Sequence, residues 1–281
     1  MSPVSKQTEI LIPGPAQALG ALLDVPVPNV ADGAGLPLLW HWVYLLDRPA
    51  QADLGLDGHP VRGTVPAPPG PGLRRMWAGG RVRASGTLRC GEPATRHSRV
   101  LSAVDKQGRS GPLTFVTVHH QVRQRGGVIV DEQQDLVYRA AAGSAGQRTA
   151  AAADEPVVPP ADGERPVDVS PALLFRFSAL TYNAHRIHYD RGYARDVEGY
   201  PGLLVHGPLQ ALAMAEAARA AGYPDGAGAG DLVFDYRLLS PLFDHQGMVV
   251  SAVREGDVTS TAVRDSYGRQ TASGTLRSYH R

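Results

Sequence analysis

The sequence contains a single cysteine and no long hydrophobic run. Cys90 alone excludes a disulfide within the chain and a zinc site built on several thiolates. No window approaches the roughly 18 uninterrupted apolar residues that a membrane-spanning helix requires. The N-terminal segment also lacks the basic region followed by an apolar run that marks a secretory signal. These absences favour a reducing, cytoplasmic location.

An excess of charge of either sign is also missing. The formal net charge is +1, so electrostatics gives no case for binding nucleic acid or an anionic membrane surface. Local basic clusters remain compatible with a small phosphorylated ligand. The 281 residues suffice for one large domain or two domains of medium size.

The first half of the chain begins with helical and loop signals. Residues 1–15 are expected to form a loose tail, and a short helix is expected over 16–23. The apolar stretch 36–46 is compatible with either a buried strand or a helix, because periodicity does not decide over so short a run. Residues 48–72 are rich in proline, glycine and aspartate, which predicts a long loop of the kind that is often functional. Strand patterns with turn signals between them follow at 81–88, 95–104, 113–123 and 127–138.

A segment rich in alanine, glycine, proline and acidic residues separates the two halves. It predicts a linker over 146–166, between an N-terminal domain over 1–145 and a C-terminal domain over 167–281. The second half opens with strand character over 166–177, followed by a polar cluster and a loop over 190–201. A helix is predicted over 207–221, with Pro208 in its first turn and Gly222 just past its end. Four strands are then predicted at 231–239, 248–255, 260–265 and 270–278.

Each half therefore combines a helix with several antiparallel strands, which predicts an α+β fold class. A long helix wrapped by an antiparallel sheet is the hot-dog fold. Two such units in tandem form a double hot-dog fold, although no sequence repeat is visible between the halves.

The polar cluster contains Tyr182, Asn183, His185, Arg186 and His188. Neither a helix nor a strand places residues five positions apart on one face, so a loop or a short helical turn is needed to direct the asparagine and the second histidine at one substrate. Histidine gains and loses a proton near neutral pH, whereas asparagine only donates and accepts hydrogen bonds. The cluster therefore predicts acid–base chemistry.

The start of the following helix supplies a hydrogen-bond donor. The first backbone N–H groups of a helix lack partners within it, and they lie at the positive end of its dipole. Gly207 has no side chain to obstruct a ligand and Pro208 has no N–H, so the Gly207 amide is a suitable oxyanion donor. A metal site formed by His185, His188 and His206 is disfavoured, because no carboxylate stands at a recognised spacing.

Two adjacent segments of the second half, FSALTYNAHRIHYD and YARDVEGYPGLLVHGPL, resemble the MaoC-like hot-dog hydratases. The resemblance is closest to the type 2 hydroxyacyl-thioester dehydratases and the mesaconyl-C4-CoA hydratases, which are also described as fatty-acid-synthase-like dehydratase domains. In the first half, LPLLWHWVYLLDRP, LGLDGHPVRG and RRMWAGGRV support it, so that it covers roughly residues 35–281.

The resemblance implies that His188 is the catalytic histidine and that the Gly207 amide holds the thioester carbonyl. Asn183 stands where the broader (R)-specific enoyl-CoA hydratases carry a catalytic aspartate. We therefore expect proton transfer to fall mainly on His188. His185 or Tyr182 is expected to tune or relay the proton, and Asn183 to position water or the hydroxyl group.

The resemblance also implies binding roles and a partner. The residues expected to bind substrate are Arg186 and Arg191 at the CoA phosphates, His206, and Trp77 and Met76 in an acyl pocket formed by a non-catalytic first domain. No metal or cofactor is expected beyond the CoA or phosphopantetheine of the substrate. A homodimer is expected from the habits of hot-dog proteins.

Three functions stay open at this point. The first is reversible hydration of an enoyl-CoA, with mesaconyl-C4-CoA or another short or branched acyl group as substrate. The second is dehydration of a 3-hydroxyacyl group on an acyl carrier protein. The third is a non-catalytic acyl-thioester binding protein or a hot-dog thioesterase, for which Glu198 is the nearby carboxylate.

Overall fold

The computed structural model describes residues 4–63, 73–108, 111–140, 156–223 and 231–279. Within these ranges the strands are β1 (Ser5–Ile10), β2 (Leu73–Ala84), β3 (Pro93–Gly108), β4 (Gly111–Gln124), β5 (Gly127–Ala140), β6 (Glu164–Val167), β7 (Asp231–Leu238), β8 (Met248–Glu255), β9 (Val258–Arg264) and β10 (Gln270–Tyr279). The α-helices are α1 (Pro13–Leu23), α2 (Pro171–Leu180), α3 (Arg191–Asp196) and α4 (Gly207–Ala220). None of the described helices has the length and apolar character to cross a membrane.

The ten strands form one antiparallel sheet with an internal duplication. Its order is β1-β3-β4-β5-β2-β7-β10-β9-β8-β6. Read inwards from its two edges, the first half runs 1-3-4-5-2 and the second half runs 6-8-9-10-7, which is the same order shifted by five strands. The halves join where β2 pairs with β7, over Gly79–Ala84 and Leu232–Arg237. The tandem arrangement expected from the sequence is therefore visible in the strand order.

Helix α4 is the central helix of the second half. It packs against β8, β9 and β10 and also contacts β2 of the first half. Most of its residues are buried, which fits its succession of alanine and leucine side chains. A buried hydrogen bond of 2.7 Å from the indole Nε1 of Trp40 to Glu216 ties this helix to the first half. Helix α4 is therefore held where the two halves meet.

The predicted helix at 207–221 and the strand segments of both halves are confirmed, with ends that differ by at most eight residues. The prediction of a loose tail over 1–15 is wrong, because β1 pairs with β3 and α1 begins at Pro13. The strand character assigned to 166–177 is also wrong beyond β6. Ser170 accepts a hydrogen bond from the Leu173 amide and Pro171 occupies the first turn, so helix α2 begins there.

Two other segments differ from a simple strand-and-loop description. Residues 40–43 of the apolar stretch form a 3-10 turn, and helix α3 lies within the loop predicted over 190–201. Of the linker predicted over 146–166, residues 146–155 lie outside the described ranges, and its last residues from Glu164 onwards belong to β6. The domain boundaries at 145 and 167 therefore stay a prediction.

Candidate active site

The polar cluster lies on a compact turn between α2 and α3. Tyr182 ends the α2 region with a left-handed backbone at φ +53°. The side-chain oxygen of Asn183 then accepts a hydrogen bond from the His185 amide at 3.0 Å, which stabilises a turn. A 3-10 helix over Arg186–His188 follows. The short helical turn that the five-residue spacing required is therefore present.

His188 is oriented by a single backbone contact. Its Nδ1 lies 2.7 Å from the carbonyl oxygen of Leu204. A carbonyl only accepts, so Nδ1 carries the hydrogen and Nε2 keeps its lone pair. Burial lowers the pKa of this imidazole to about 4. At neutral pH the ring is therefore uncharged and ready to accept a proton at Nε2.

His206 supports His188 from behind. The two rings stack with centroids 3.6 Å apart, and the ring of Phe177 packs edge-on against His206 at 4.8 Å. Its Nε2 lies 2.9 Å from the hydroxyl oxygen of Ser178. His206 has no exposed surface and packs against the His188 ring, so its contact with the substrate stays a prediction.

Gly207 begins helix α4, and its neighbours leave no space for a side chain. A Cβ atom at this position would lie 2.2 Å from Cδ1 of Leu238 and 3.5 Å from Cβ of Trp77. The Gly207 N–H belongs to the first turn, where helix amides have no carbonyl one turn earlier to bind. This amide is therefore suited to stabilise a negatively charged oxygen.

A cavity of about 1120 Å³ lies between the two halves of the chain. It brings together most of the residues predicted from the sequence: His188, His185, Asn183, Tyr182, Gly207, Trp77 and Met76. Trp77 is held by a hydrogen bond of 3.0 Å from its Nε1 to the hydroxyl of Tyr236. Tyr182 is 55% exposed and so lies at the outer part of the cavity.

Arg186 and Arg191 do not line this cavity. Arg186 forms an ion pair of 2.7 Å with Asp190, and Arg191 forms an ion pair with Asp244. Their contact with CoA phosphates stays a prediction. Arg186 also donates a hydrogen bond of 3.1 Å to the carbonyl of Leu56. This contact ties the polar cluster to the loop of the first half that contains Leu56 and His59.

That loop brings two functional candidates that the sequence reasoning missed. His59 Nδ1 donates to a carboxylate oxygen of Asp57 at 3.0 Å, and the His59 ring lies 3.8 Å from the ring of His185. The Arg186 amide donates to the carbonyl of Asp57 at 2.9 Å. His59 also lines the cavity. A histidine–aspartate pair from the first half thus lies beside the histidines of the second half.

Gly58 permits this close approach. Its φ is +86°, and a Cβ atom there would lie 1.8 Å from the carbonyl oxygen of Ala184. The motif LGLDGHPVRG signals an unusual backbone through this glycine. More than 120 residues separate His59 from His185, so no spacing rule connects the two. Nothing in the spacing along the chain therefore marks His59 as a site residue.

Burial keeps the clustered imidazoles uncharged. Burial is the largest cause that lowers the pKa of His59 to about 4, and the positive charge of Arg75 adds to it. The pKa of His185 lies well below its usual value, first through burial and then through the charges that His59 and His188 would carry. The pKa of His206 is likewise lowered well below its usual value by burial. A neutral imidazole offers one ring nitrogen as a hydrogen-bond acceptor.

Two possible metal-ligand sets occur at the site. Donor atoms of Asp57, His59 and His185 lie within 4.8 Å of one another. The hydrogen bond between the first two occupies one donor atom on each, so a metal ion would have to displace it. In the set considered from the sequence, His188 Nδ1 and His206 Nε2 are already occupied by Leu204 and Ser178. The existing hydrogen bonds therefore favour acid–base chemistry.

Comparison with known families assigns the chain to a class. The model of the family "Hydroxyacyl-thioester dehydratase type 2" matches residues 39–244. The chain belongs to this family. It is 43% identical over 264 residues to the mesaconyl-C(4)-CoA hydratase of Chloroflexus aurantiacus, an alignment that covers 93% of this chain and 91% of the relative. The resemblance stated from the sequence and the enzyme class, a hydro-lyase, are confirmed.

Solved structures confirm the fold. The MaoC-like dehydratase of Phytophthora capsici superimposes with a TM-score of 0.69 at 16% identity, covering 100% of this chain and 97% of that one. A Mycobacterium tuberculosis protein described as having a double hotdog fold superimposes with a TM-score of 0.54 at 16% identity, covering 99% and 95%. The α+β tandem hot-dog prediction is therefore confirmed.

Proposed function

We propose that this protein reversibly hydrates the double bond of an enoyl-CoA, with His188 and Gly207 as the central groups. The observation that carries the proposal is that a neutral, oriented histidine and the amide of a first-turn helix residue line one cavity. The family assignment supports the reaction class. The 43% identical relative supports mesaconyl-C4-CoA, or another short branched acyl-CoA, as the substrate.

The addition of water begins at His188. Its Nε2 accepts a proton from water as the water oxygen bonds to the β-carbon of the enoyl thioester. The electron pair of the double bond moves towards the thioester, so negative charge develops on the carbonyl oxygen. The Gly207 amide donates a hydrogen bond to that oxygen and stabilises the enolate.

The proton then returns from His188 to the α-carbon, which neutralises both the enolate and the imidazolium. One histidine thus moves a single proton from water to carbon, and the overall reaction consumes one water molecule. Dehydration follows the same steps in reverse. Delivery by one group from one side of the double bond corresponds to syn addition.

The remaining polar groups hold the water. The water molecule donates its second hydrogen to Nε2 of His59. Asp57 accepts a hydrogen bond from Nδ1 of His59 and so keeps Nε2 free of hydrogen. The side-chain amide of Asn183 donates to the water or to the product hydroxyl. His185 packs between His59 and His188, with ring centroids 3.8 and 5.3 Å away, and maintains their spacing.

The finer expectations about cofactors and assembly are part of the same proposal. The enzyme works without a metal or cofactor apart from the CoA of its substrate, as a cytoplasmic homodimer. Dialysis against a chelator tests whether the activity needs a metal, and light scattering on the purified protein tests whether it is a dimer. Full activity after chelation and a mass of twice 29.9 kDa are the expected results.

Absorbance distinguishes the competing functions. Crotonyl-CoA and mesaconyl-C4-CoA lose enoyl absorbance on hydration, whereas a thioesterase releases a thiol that a disulfide reagent detects. Glu198, the carboxylate considered for a thioesterase, instead forms an ion pair of 2.5 Å with Arg74. We expect loss of enoyl absorbance without thiol release. Thiol release alone would replace the proposal with a thioesterase, and no change in either signal would indicate a binding protein.

A further inference from the structure

Five arginines line the cavity, and they differ in how their charge is balanced. Three have a carboxylate within 4.0 Å: Arg48 with Glu9, Arg62 with Asp53, and Arg96 with Asp47. The other two, Arg75 and Arg139, form no ion pair with a carboxylate among the described residues. A partly buried guanidinium without a paired charge is costly unless a ligand supplies the charge.

Arg75 lies beside the reacting groups. It precedes Trp77 by two positions on β2, and side chains two positions apart point to the same face of a strand. The Cβ of Trp77 is 3.5 Å from the position that a Gly207 side chain would occupy. The positive charge of Arg75 also contributes to lowering the pKa of His59 and of His185. Arg75 is therefore one strand repeat, about 7 Å along β2, from Trp77, whose side chain packs beside the oxyanion donor.

Arg139 occupies a different part of the cavity. Its backbone pairs with Arg74 rather than with Arg75, and its charge acts on Tyr200. Arg75 instead pairs across the strands with Tyr138, whose hydroxyl hydrogen-bonds to its guanidinium. Tyr138 is nearly fully buried, and a hydroxyl fixes the direction of the guanidinium without neutralising it. The hydroxyl of Tyr138 thus orients the guanidinium of Arg75, and the positive charge stays available to an anionic ligand.

We propose that Arg75 binds a carboxylate group carried by the acyl chain of the substrate, close to the carbon that receives water. The inference rests on the proposed hydration and names its substrate class: CoA thioesters of unsaturated dicarboxylic acids. A carboxylate on the β-carbon is separated from the thioester carbonyl by two carbon atoms, which fits within one strand repeat. The planar guanidinium binds a carboxylate through two parallel hydrogen bonds.

The groups around Arg75 favour an anion at this position. His59 is neutral near pH 7 and its Nε2 faces no acidic partner among the described residues. Asp57, the nearest acidic residue of the cluster, is bound to His59 at 3.0 Å and makes no ion pair with Arg75. The negative charge of Asp57 attracts the guanidinium of Arg75 without forming an ion pair with it, so a substrate carboxylate displaces no ion pair at Arg75.

Binding measurements test the inference without requiring turnover. Succinyl-CoA carries a carboxylate on its β-carbon, and butyryl-CoA has a methyl group there instead. We expect isothermal titration calorimetry of the wild-type protein to show tighter binding of succinyl-CoA. Arg75→Met should remove most of this preference, by roughly 10²-fold, as expected when one partner of a buried charge pair is lost.

Two further variants keep the result interpretable. Arg139→Met removes another unpaired cavity arginine, and it should leave the ratio of the two affinities unchanged. Arg75→Lys preserves the charge without the paired donors, and it should give an intermediate ratio. If the wild-type protein binds the two ligands equally, or if Arg75→Met and Arg139→Met change the ratio alike, the carboxylate subsite is wrong.

Hydration assays separate this inference from the proposed function. Hydration of crotonyl-CoA with no preference for succinyl-CoA over butyryl-CoA would support the reaction and overturn the subsite. An Arg75-dependent preference for succinyl-CoA with no hydration of crotonyl-CoA or mesaconyl-C4-CoA would support the subsite and overturn the reaction. The expected result is both, with kcat/KM for mesaconyl-C4-CoA far more sensitive to Arg75→Met than kcat/KM for crotonyl-CoA.

Discussion

The imidazole of His188 stacks on the imidazole of His206, with ring centroids 3.6 Å apart and planes 19° from parallel. The stacked pair is almost completely enclosed. Two positive charges at this distance would repel each other in a site that also penalises charge through burial. Burial keeps His188 neutral by lowering its pKa, repulsion from His188 adds to the lowered pKa of His206, and the Leu204 carbonyl fixes which nitrogen of His188 is left to act as the base.

Replacing His188 should abolish most activity. We expect His188→Ala to lower kcat by ~10²–10⁴-fold, because general base catalysis of this kind contributes about that factor. Steady-state hydration of crotonyl-CoA by the purified, folded variant checks it. His185→Ala is the comparison: a larger loss there than in His188→Ala would exchange the roles assigned to the two histidines. A nearly wild-type rate for His188→Ala would remove it from the mechanism.

The pH profile of the reaction should extend to unusually acid conditions. The pKa of His188 and of His59 is lowered to about 4, so both remain neutral well below their ordinary value of 6.5. We expect kcat/KM to stay nearly constant from pH 7 to pH 5 and to fall as the pH approaches 4. A decline centred near pH 6.5 would show that the base is a histidine with an ordinary pKa.

The same shifts predict acid destabilisation of the fold. Between pH 6.5 and 4 the unfolded chain protonates these histidines while the folded protein does not, so the free energy of unfolding falls as the pH is lowered. At pH 5 each such histidine lowers it by roughly 2 kcal/mol relative to pH 7. Urea unfolding at both pH values should show a smaller loss for His188→Gln than for the wild-type protein. Equal losses would contradict the depressed pKa.

The histidine–aspartate pair from the first half should be needed for turnover. We expect His59→Ala to reduce kcat by about 10²-fold and Asp57→Asn to reduce it less. Asp57 raises the pKa of His59 through their hydrogen bond, so Asp57→Asn should also move the acid limb of the profile to lower pH. If the histidine–aspartate pair only supported the fold, Asp57→Asn would leave the acid limb of the pH profile unchanged.

A second pair of the same kind provides the control. His119 Nε2 lies 3.0 Å from both carboxylate oxygens of Asp131, and neither residue lines the cavity. His119→Ala removes an equivalent interaction from the first half without touching the site. Similar kinetic losses for His59→Ala and His119→Ala would indicate general damage to the first half instead of a role in the reaction.

The contact between the two halves at Gly58 can be tested separately. We expect Gly58→Ala to push the loop away from the carbonyl of Ala184 and to lower kcat/KM by at least ~10-fold, since small misplacements of positioning groups have such effects. Gly33→Ala is the matched control. Gly33 has the same φ of +86° but no neighbour within 4 Å of its hypothetical Cβ atom. Equal activity in the two variants would show that the loop does not need this approach.

Local patterns account for much of the fold. The helix at α4 was predictable because proline in its first turn and glycine after its end are strong start and stop signals, and the alternating residues of β4 predict a half-buried strand. Edge strand β1 was missed, because its exposed and partly buried residues carry little apolar signal until it pairs with β3. Helix α2 was missed because its apolar residues also fit a strand.

The sequence by itself determined the chemistry of the second half: the histidines, Asn183 and the glycine at a helix start all lie within one short segment, where local turns control their spacing. Only the tertiary structure decided what completes the site. Pairing of β2 with β7 brings Trp77 to Gly207, and packing at Gly58 sets His59 against His185. These contacts join residues more than 100 positions apart. They depend on the closure of the two halves and leave no spacing signal along the chain.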